Sequence, residues 1–147
     1  MTERAPQHLL LPDRLRAEII AHARETFPEE CCGLLVGRRA ADGALVAENT
    51  VRAANVAAER RQDRFELDPA VHLRVQRELR GSGREVVGHY HSHPGGRAAP
   101  SVVDQAHIHD PNLAWVIVAV TANGAAEMAA FLPAAGVLRA LPLHEEC

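Results

Sequence analysis

Histidine is concentrated in one part of this chain: five of its nine histidines (His89, His91, His93, His107 and His109) fall between residues 89 and 109. In His89-Tyr90-His91-Ser92-His93 they recur at every second position. A β-strand sends alternate side chains to one face, so an extended segment here presents three imidazoles together. Neutral imidazole is a common zinc ligand, and an H-x-H pair at a strand end brings two ring nitrogens to one ion without bending the backbone. Asp104 offers a third donor, because it follows a Gly- and Pro-containing loop at the start of a short helical pattern. Two imidazoles and one carboxylate leave the fourth corner of a zinc tetrahedron open, which is the coordination of a catalytic site. Two plainer accounts compete. The histidines could be the polar face of a half-exposed strand, and Ser101-Val102-Val103-Asp104 also fits a capping box, in which hydroxyl and carboxylate satisfy the first amides of a helix.

The elements that must position these groups follow from periodicity and punctuation. Residues 13–27 carry Leu15, Ile19, Ile20, Ala23 and Phe27 on one helical face between Pro12 and Pro28. The apolar run 31–36 predicts a strand, and 44–51, after Asp42-Gly43, predicts its hairpin partner, both expected in the core. The polar, arginine-rich stretch 55–63 reads as a surface loop and Phe65-Glu66-Leu67 as a short extended piece. Asp68-Pro69 then opens a second helix that runs to about Arg80, where Gly81-Ser82-Gly83 ends it. Residues 85–91 predict the histidine-bearing strand, 94–100 a loop, and 101–109 a short helix closed by Asp110-Pro111. Residues 113–120, 126–132 and 137–141 predict further strands. The expected class is mixed α and β, with helices covering a central sheet. No repeat or long linker divides the sequence, so one domain over residues 1–147 is expected.

With 147 residues, 47% of them hydrophobic and 24% charged, the chain has enough core to fold without disulfides or a structural metal, so a metal site reads as functional. Three cysteines (Cys31, Cys32 and Cys147) without a C-x-x-C pair argue against a disulfide framework or a zinc ribbon and fit a reducing compartment. No apolar run approaches the roughly 20 residues of a membrane span, and the first residues lack a signal-peptide pattern. A cytoplasmic protein is expected. The net charge of −3 disfavours nucleic acid, whose phosphates demand clustered positive charge.

The segment His91-Ser92-His93-Pro94, six further positions, and then Ser101-Val102-Val103-Asp104 match every fixed position of the pattern H-[ST]-H-P-x6-S-x2-D. On that ground the chain resembles the JAMM/MPN zinc metalloprotease family. Glu30-Cys31-Cys32-Gly33-Leu34-Leu35-Val36-Gly37 is similar to the family's early strand, where a glutamate stands three residues before a glycine. The likeness runs from Pro28 to the strand ending near Val120. It implies an MPN fold of cytidine-deaminase-like layout, with a central mixed sheet flanked by helices. It also implies that His91, His93 and Asp104 bind one zinc per chain, that Glu30 is the acid/base acting on the activated water, and that Ser101 donates a hydrogen bond to the tetrahedral intermediate. General chemistry agrees with these roles: zinc lowers the pKa of bound water to about 7, a carboxylate in reach can carry its proton, and a hydroxyl can stabilise the developing oxyanion. The glycine spacing of the family selects Glu30 over Glu29. His89 is in phase with the ligands but occupies no ligand position of the family, so it is expected to support them or pack in the sheet. His107, one helical step from Asp104, is the nearer candidate to partner it, and both His107 and His109 are expected at the surface. Cys32 as a thiol nucleophile is the competing mechanism, and no Cys-His signature accompanies it.

Long eukaryotic members of the family remove ubiquitin in large complexes, whereas short single-domain bacterial members share the Pro28-Glu29-Glu30-Cys31-Cys32-Gly33 and Phe65-Glu66-Leu67-Asp68-Pro69 segments. The resemblance therefore implies a deubiquitinase-like zinc peptidase whose substrate is a ubiquitin-like β-grasp protein of the sulfur-carrier type. Its Gly-Gly tail would be released from an amino acid, a lysine side chain or a C-terminal extension. Arg60, Arg61 and Arg64 could grip an acidic carrier surface, or simply be solvated. Metallo-β-lactamase-like sites need H-x-H-x-D-H, amidohydrolase barrels need a longer chain, and zinc deaminases need H-x-E with P-C-x-x-C; none fits. The rival from another class is an MPN module that holds zinc or a β-grasp partner without turnover.

Overall fold

In the computed structural model, which describes residues 5–108 and 110–145, the elements run β1 (Leu9–Leu10), α1 (Asp13–Thr26), β2 (Cys32–Arg39), β3 (Leu45–Ala53), α2 (Pro69–Glu78), β4 (Glu85–Pro94), α3 (Val102–Ala106), β5 (Ala114–Val120), β6 (Ala126–Ala134), β7 (Val137–Leu141) and β8 (Leu143–His144). The strands form one mixed sheet in the order β7-β6-β5-β4-β2-β3-β1-β8. In its centre, β4 pairs antiparallel with β2 and parallel with β5. A parallel neighbour requires a crossover. Residues 95–113 supply it, so the chain leaves the histidine-bearing end of β4, forms α3, and returns to start β5 beside Gly88.

The two longer helices follow the punctuation of the sequence. On α1, Leu15, Ile19, His22 and Ala23 are buried at helical spacing, and the helix stops before Phe27-Pro28. Asp68 caps α2 by accepting from the Ala70 amide, with Pro69 at the first helical position. α1 covers one face of the sheet, where Leu15, Ile19 and Ala23 join Leu35, Leu45, Val87, Tyr90, Val116 and Val118. Val75 of α2 packs on the other face in a smaller cluster with Leu34, Val36 and Val86. All seven residues of β5 are buried, as expected of a strand covered on both sides. No helix among the described residues is long and apolar enough to cross a membrane.

Three expectations change, and two short strands are added. β3 enters the core only in part: Leu45 and Ala47 join the main cluster and Val51 packs on the smaller one, while the rest lies half-buried or exposed because β1 covers no more of the strand than Leu45 and Val46. β4 continues past His91 to Pro94, held by parallel pairing that reaches Pro94 opposite Val120. The third helix ends at Ala106 rather than near His109, which lies outside the described residues, as does Cys147. β1 and β8, two residues each, pair in parallel and carry no periodic pattern that a sequence could display.

Gly33 shows why a side chain is excluded at that point of β2. It faces Tyr90 across the ladder, and a Cβ built on it would sit 2.4 Å from the Tyr90 ring. The ring is 1% exposed, and its hydroxyl lies 2.7 Å from His22 Nδ1 on α1. Burial raises the tyrosine pKa, while burial and then Arg52 lower that of His22, so the pair is neutral. Gly33→Ala should therefore lower stability by about 1–3 kcal/mol through overpacking, read in denaturant unfolding. Its cost should shrink in a Tyr90→Ala background. Strictly additive costs would mean that the close approach to the ring is not what requires the glycine.

Candidate metal centre

The alternation of β4 divides its C-terminal half between two faces. Tyr90 turns to α1, while His89, His91 and His93 turn to the opposite side. On that side α3 begins with a complete capping box: Ser101 Oγ accepts from the Asp104 amide at 3.0 Å, and Asp104 Oδ2 accepts from the Ser101 amide at 2.9 Å. The same carboxylate reaches both histidines, with Oδ1 3.2 Å from His91 Nε2 and Oδ2 3.0 Å from His93 Nε2. The two Nε2 atoms are 3.0 Å apart. The two accounts of Ser101-Val102-Val103-Asp104 are thus not alternatives. The cap fixes the carboxylate in the orientation that meets the imidazoles.

Protonation makes this meeting informative. His93 Nδ1 lies 2.8 Å from the Arg97 carbonyl oxygen, which can only accept, so Nδ1 carries a hydrogen. Neutral His93 therefore presents a bare Nε2 to the Asp104 carboxylate, and two acceptors face each other. A cation must lie between them. Without a metal that cation is a proton: burial pulls His93 down, but hydrogen bonds to Asp104 and to the Arg97 carbonyl lift it above the ordinary imidazole value. Burial would raise Asp104, yet hydrogen bonds from His91 and His93 hold it well below the usual carboxylate range. His91 is fully buried, and this lowers its pKa. The donor set suits zinc. With bonds of about 2.0–2.1 Å, tetrahedral donors stand roughly 3.3 Å apart, close to the 3.0–3.2 Å found among these three groups.

Glu30 completes the surroundings. A carboxylate oxygen of Glu30 and one ring nitrogen each of His91 and His93 all lie within 4.8 Å of one another. Its Oε1 is buried with no hydrogen-bond partner among the described residues, a costly state for a carboxylate and one that a bound polar group would relieve. Burial pushes Glu30 up to about 8, with His93 opposing the shift and Asp104 adding to it. Glu29, its neighbour, is exposed. Ser101 Oγ accepts from Asp104, which leaves its own hydrogen available to donate.

The remaining candidates separate cleanly. His89 packs on Trp115 and Phe65, with ring centroids at 4.5 and 6.0 Å. His107 is exposed, as expected, and one ring nitrogen lies 2.7 Å from the Val103 carbonyl oxygen. Cys31 and Cys32 are buried free thiols that burial pushes up to about 11 and about 12, so neither is a ready nucleophile. Arg60 and Arg64 flank Asp63, and Arg61 bonds the Ala57 carbonyl. One participant went unread in the sequence. Phe65 stacks on His91 (4.3 Å, 19°) and so fixes a ring whose Nδ1 has no hydrogen-bond partner among the described residues. Its signal was an aromatic in a polar stretch of a chain that is only 3% aromatic. Phe65 also walls a cavity of about 730 Å³ lined by Leu34, Leu67, His89, Val103 and Trp115 among others.

Residues 12–132 match the family model described as prokaryotic homologs of the JAB domain. Desampylase of Haloferax volcanii is 35% identical over 106 residues, 69% of this chain and 73% of that protein. The CysO-cysteine peptidase of Mycobacterium tuberculosis is 33% identical over 100 residues, 68% of this chain and 65% of that protein, so just under two thirds of its length is spanned. A solution structure from Desulfitobacterium hafniense superposes with a TM-score of 0.82 at 28% identity, covering 94% of this chain and 92% of that one. A crystal structure of a JAB1/MPN domain protein from Archaeoglobus fulgidus has the same fold, with a TM-score of 0.57 at 18% identity over 94% and 99% of the two chains.

The donor geometry makes a direct prediction. Zinc titration of metal-stripped protein should saturate at one ion per chain, with affinity lost in His91→Ala and Asp104→Ala and kept in His107→Ala. Full zinc in the first two variants together with loss in the third would overturn the assignment and leave Asp104 as a cap alone.

Proposed function

Because the chain belongs to the prokaryotic JAB-domain family, we propose that it is a zinc-dependent peptidase or isopeptidase that cleaves after the C-terminal Gly-Gly of a ubiquitin-like or sulfur-carrier β-grasp protein. The observation that carries the reading is the convergence of His91, His93 and Asp104 at 3.0–3.2 Å beside a buried Glu30 carboxylate with an unpaired oxygen. The names of the two relatives, a desampylase and a CysO-cysteine peptidase, support the substrate class.

Under this reading His91, His93 and Asp104 hold the metal. Zinc, when bound there, supplies Lewis acidity that lowers the pKa of water to about 7 and polarises the scissile carbonyl. Glu30 takes the proton that water loses as it adds to that carbonyl, then delivers it to the amine nitrogen as the C–N bond breaks. One carboxylate serves both halves of this exchange, because the proton it takes is the one it returns. Ser101 donates its hydroxyl hydrogen to the oxygen that gains charge. The cap orients this hydroxyl in advance, because the Asp104 amide holds Oγ in place. Glycine at the cleaved position leaves room for the backbone to lie close to the sheet end, and Arg60, Arg61 and Arg64 offer positive charge to an acidic carrier.

The test is cleavage of a β-grasp carrier protein extended beyond its Gly-Gly by the zinc-loaded chain. A chelator should abolish turnover, and iodoacetamide should not, because no thiol takes part. Glu30→Gln should keep its zinc and lower turnover by roughly 10²- to 10⁴-fold, the usual contribution of a positioned acid/base. Glu29→Gln should be nearly silent. Equal activities of the two variants would remove Glu30 from the chemistry. No cleavage by the zinc-loaded native chain would leave the non-catalytic module as the better account.

A further inference from the structure

Glu30 lies just outside the sheet. β2 begins at Cys32, and Cys31 is tied to Ser92 through its amide (2.8 Å to Oγ) and its carbonyl (3.1 Å from the Ser92 amide). Residue 30 is the first position that no strand holds. Its buried Oε1 has no hydrogen bond among the described residues, so the carboxylate is only as well placed as the backbone that carries it. That backbone is gripped by the loop that follows β3. The Glu30 amide donates to the Arg61 carbonyl at 2.6 Å, and the Glu30 carbonyl accepts from Asn55 Nδ2 at 3.0 Å.

Asn55 also holds the loop itself. Its Nδ2 donates a second time, to the Arg64 carbonyl at 3.1 Å, and its Oδ1 accepts from the amides of Ala57 (3.1 Å) and Glu66 (3.0 Å). Two carbonyls on the nitrogen and two amides on the oxygen fix the orientation of the amide group and use its full capacity of four hydrogen bonds. The base of the loop is closed by backbone bonds from Val56 to Glu66 (2.8 Å) and from Asp68 to Ala54 (3.2 Å). The bonds to Arg64 and Glu66 bracket Phe65, the ring stacked on His91. One side chain thereby ties together the backbone of Glu30 and the segment that orients a histidine of the metal centre.

We propose that Asn55 is a positioning residue for the reaction: its amide holds the 57–66 loop against residue 30 and so keeps the Glu30 carboxylate beside the His91 and His93 pair. The proposal rests on Glu30 being the acid/base. No other side chain of similar size meets the requirement. Aspartate keeps both acceptor roles but loses the two donors, one of which is the link to Glu30, and alanine loses all four bonds.

The experiment is a double-variant cycle on the zinc-loaded chain, with a β-grasp carrier extended beyond its Gly-Gly as substrate and with zinc content and thermal midpoint measured for every variant. Asn55→Ala and Asn55→Asp should retain zinc and lower kcat by up to about 10²-fold, the scale of a displaced catalytic group, with KM little changed. In a Glu30→Gln background neither should lower kcat much further, because a group that acts through Glu30 has nothing left to position. A residue of purely structural value would cost the same in both backgrounds, and that result overturns the proposal. So does an unchanged kcat in both Asn55 variants, or a rise in KM alone, which would make the loop a substrate contact. Asn55→Asp, which keeps half of the hydrogen bonds, carries the test if Asn55→Ala does not fold; failure of both to fold would assign Asn55 to stability alone. Near-native kcat in Glu30→Gln itself would sink the acid/base reading and this proposal with it. A crippled Glu30→Gln with additive Asn55 variants would sink only the latter.

Discussion

The Asp104 carboxylate closes the first turn of α3 by accepting the Ser101 amide, and this turns both its oxygens toward the imidazoles at the end of β4. The geometry of the centre follows from that double engagement. A free aspartate would sample several rotamers, and bringing it to two histidines would cost side-chain entropy each time a ligand bound. Here the helix cap has already selected the rotamer, so the donor set is arranged by interactions that also serve folding. The cost sits in the same place. Acceptors converge at 3.0–3.2 Å in a buried position, which only a proton or a metal between them can stabilise.

The sheet sets the frame within which that cap can act. β4 lies between an antiparallel and a parallel neighbour as far as His91, and from Ser92 to Pro94 only the parallel ladder with β5 continues. The parallel neighbour imposes the crossover that carries α3 back over the histidines. Gly33 and Tyr90 hold the β2 side of this frame from the opposite face, where the ring takes the space of a missing side chain and its hydroxyl is anchored to α1 through His22. The centre is thus built at the junction of a strand end, a capped helix and the segment that leads into β2. Glu30, which belongs to none of these ladders, is the member whose placement depends on a loop.

What could be read from the sequence is what depends on local spacing. The H-x-H alternation, the Ser-x-x-Asp cap and the prolines that bound α1 and start α2 act over a few residues, and each reappears in the structure with the predicted geometry. What stayed hidden depends on contacts between distant parts of the chain. The exposure of β3 follows from how little of it the two-residue β1 covers, and no pattern within β3 records the length of a neighbour. Asn55 at the head of a polar loop looks like any turn residue until residues 30, 57, 64 and 66 are brought to it. His107, expected at the surface, is exposed there with a ring nitrogen on the Val103 carbonyl.

The two histidines of the candidate centre are oriented by different means. His93 is tied through Nδ1 to the Arg97 carbonyl, a bond that fixes its tautomer and leaves Nε2 as the donor. His91 has no such bond among the described residues and is instead held between neighbouring rings, stacked on Phe65 and edge-on to Trp115. Packing fixes the plane of the His91 ring, and the Asp104 carboxylate meets its Nε2 at 3.2 Å. Both histidines therefore present Nε2 to the carboxylate, His93 through a backbone bond and His91 through its ring neighbours. The Phe65 loop, and through it Asn55, thereby belongs to the architecture of the candidate centre.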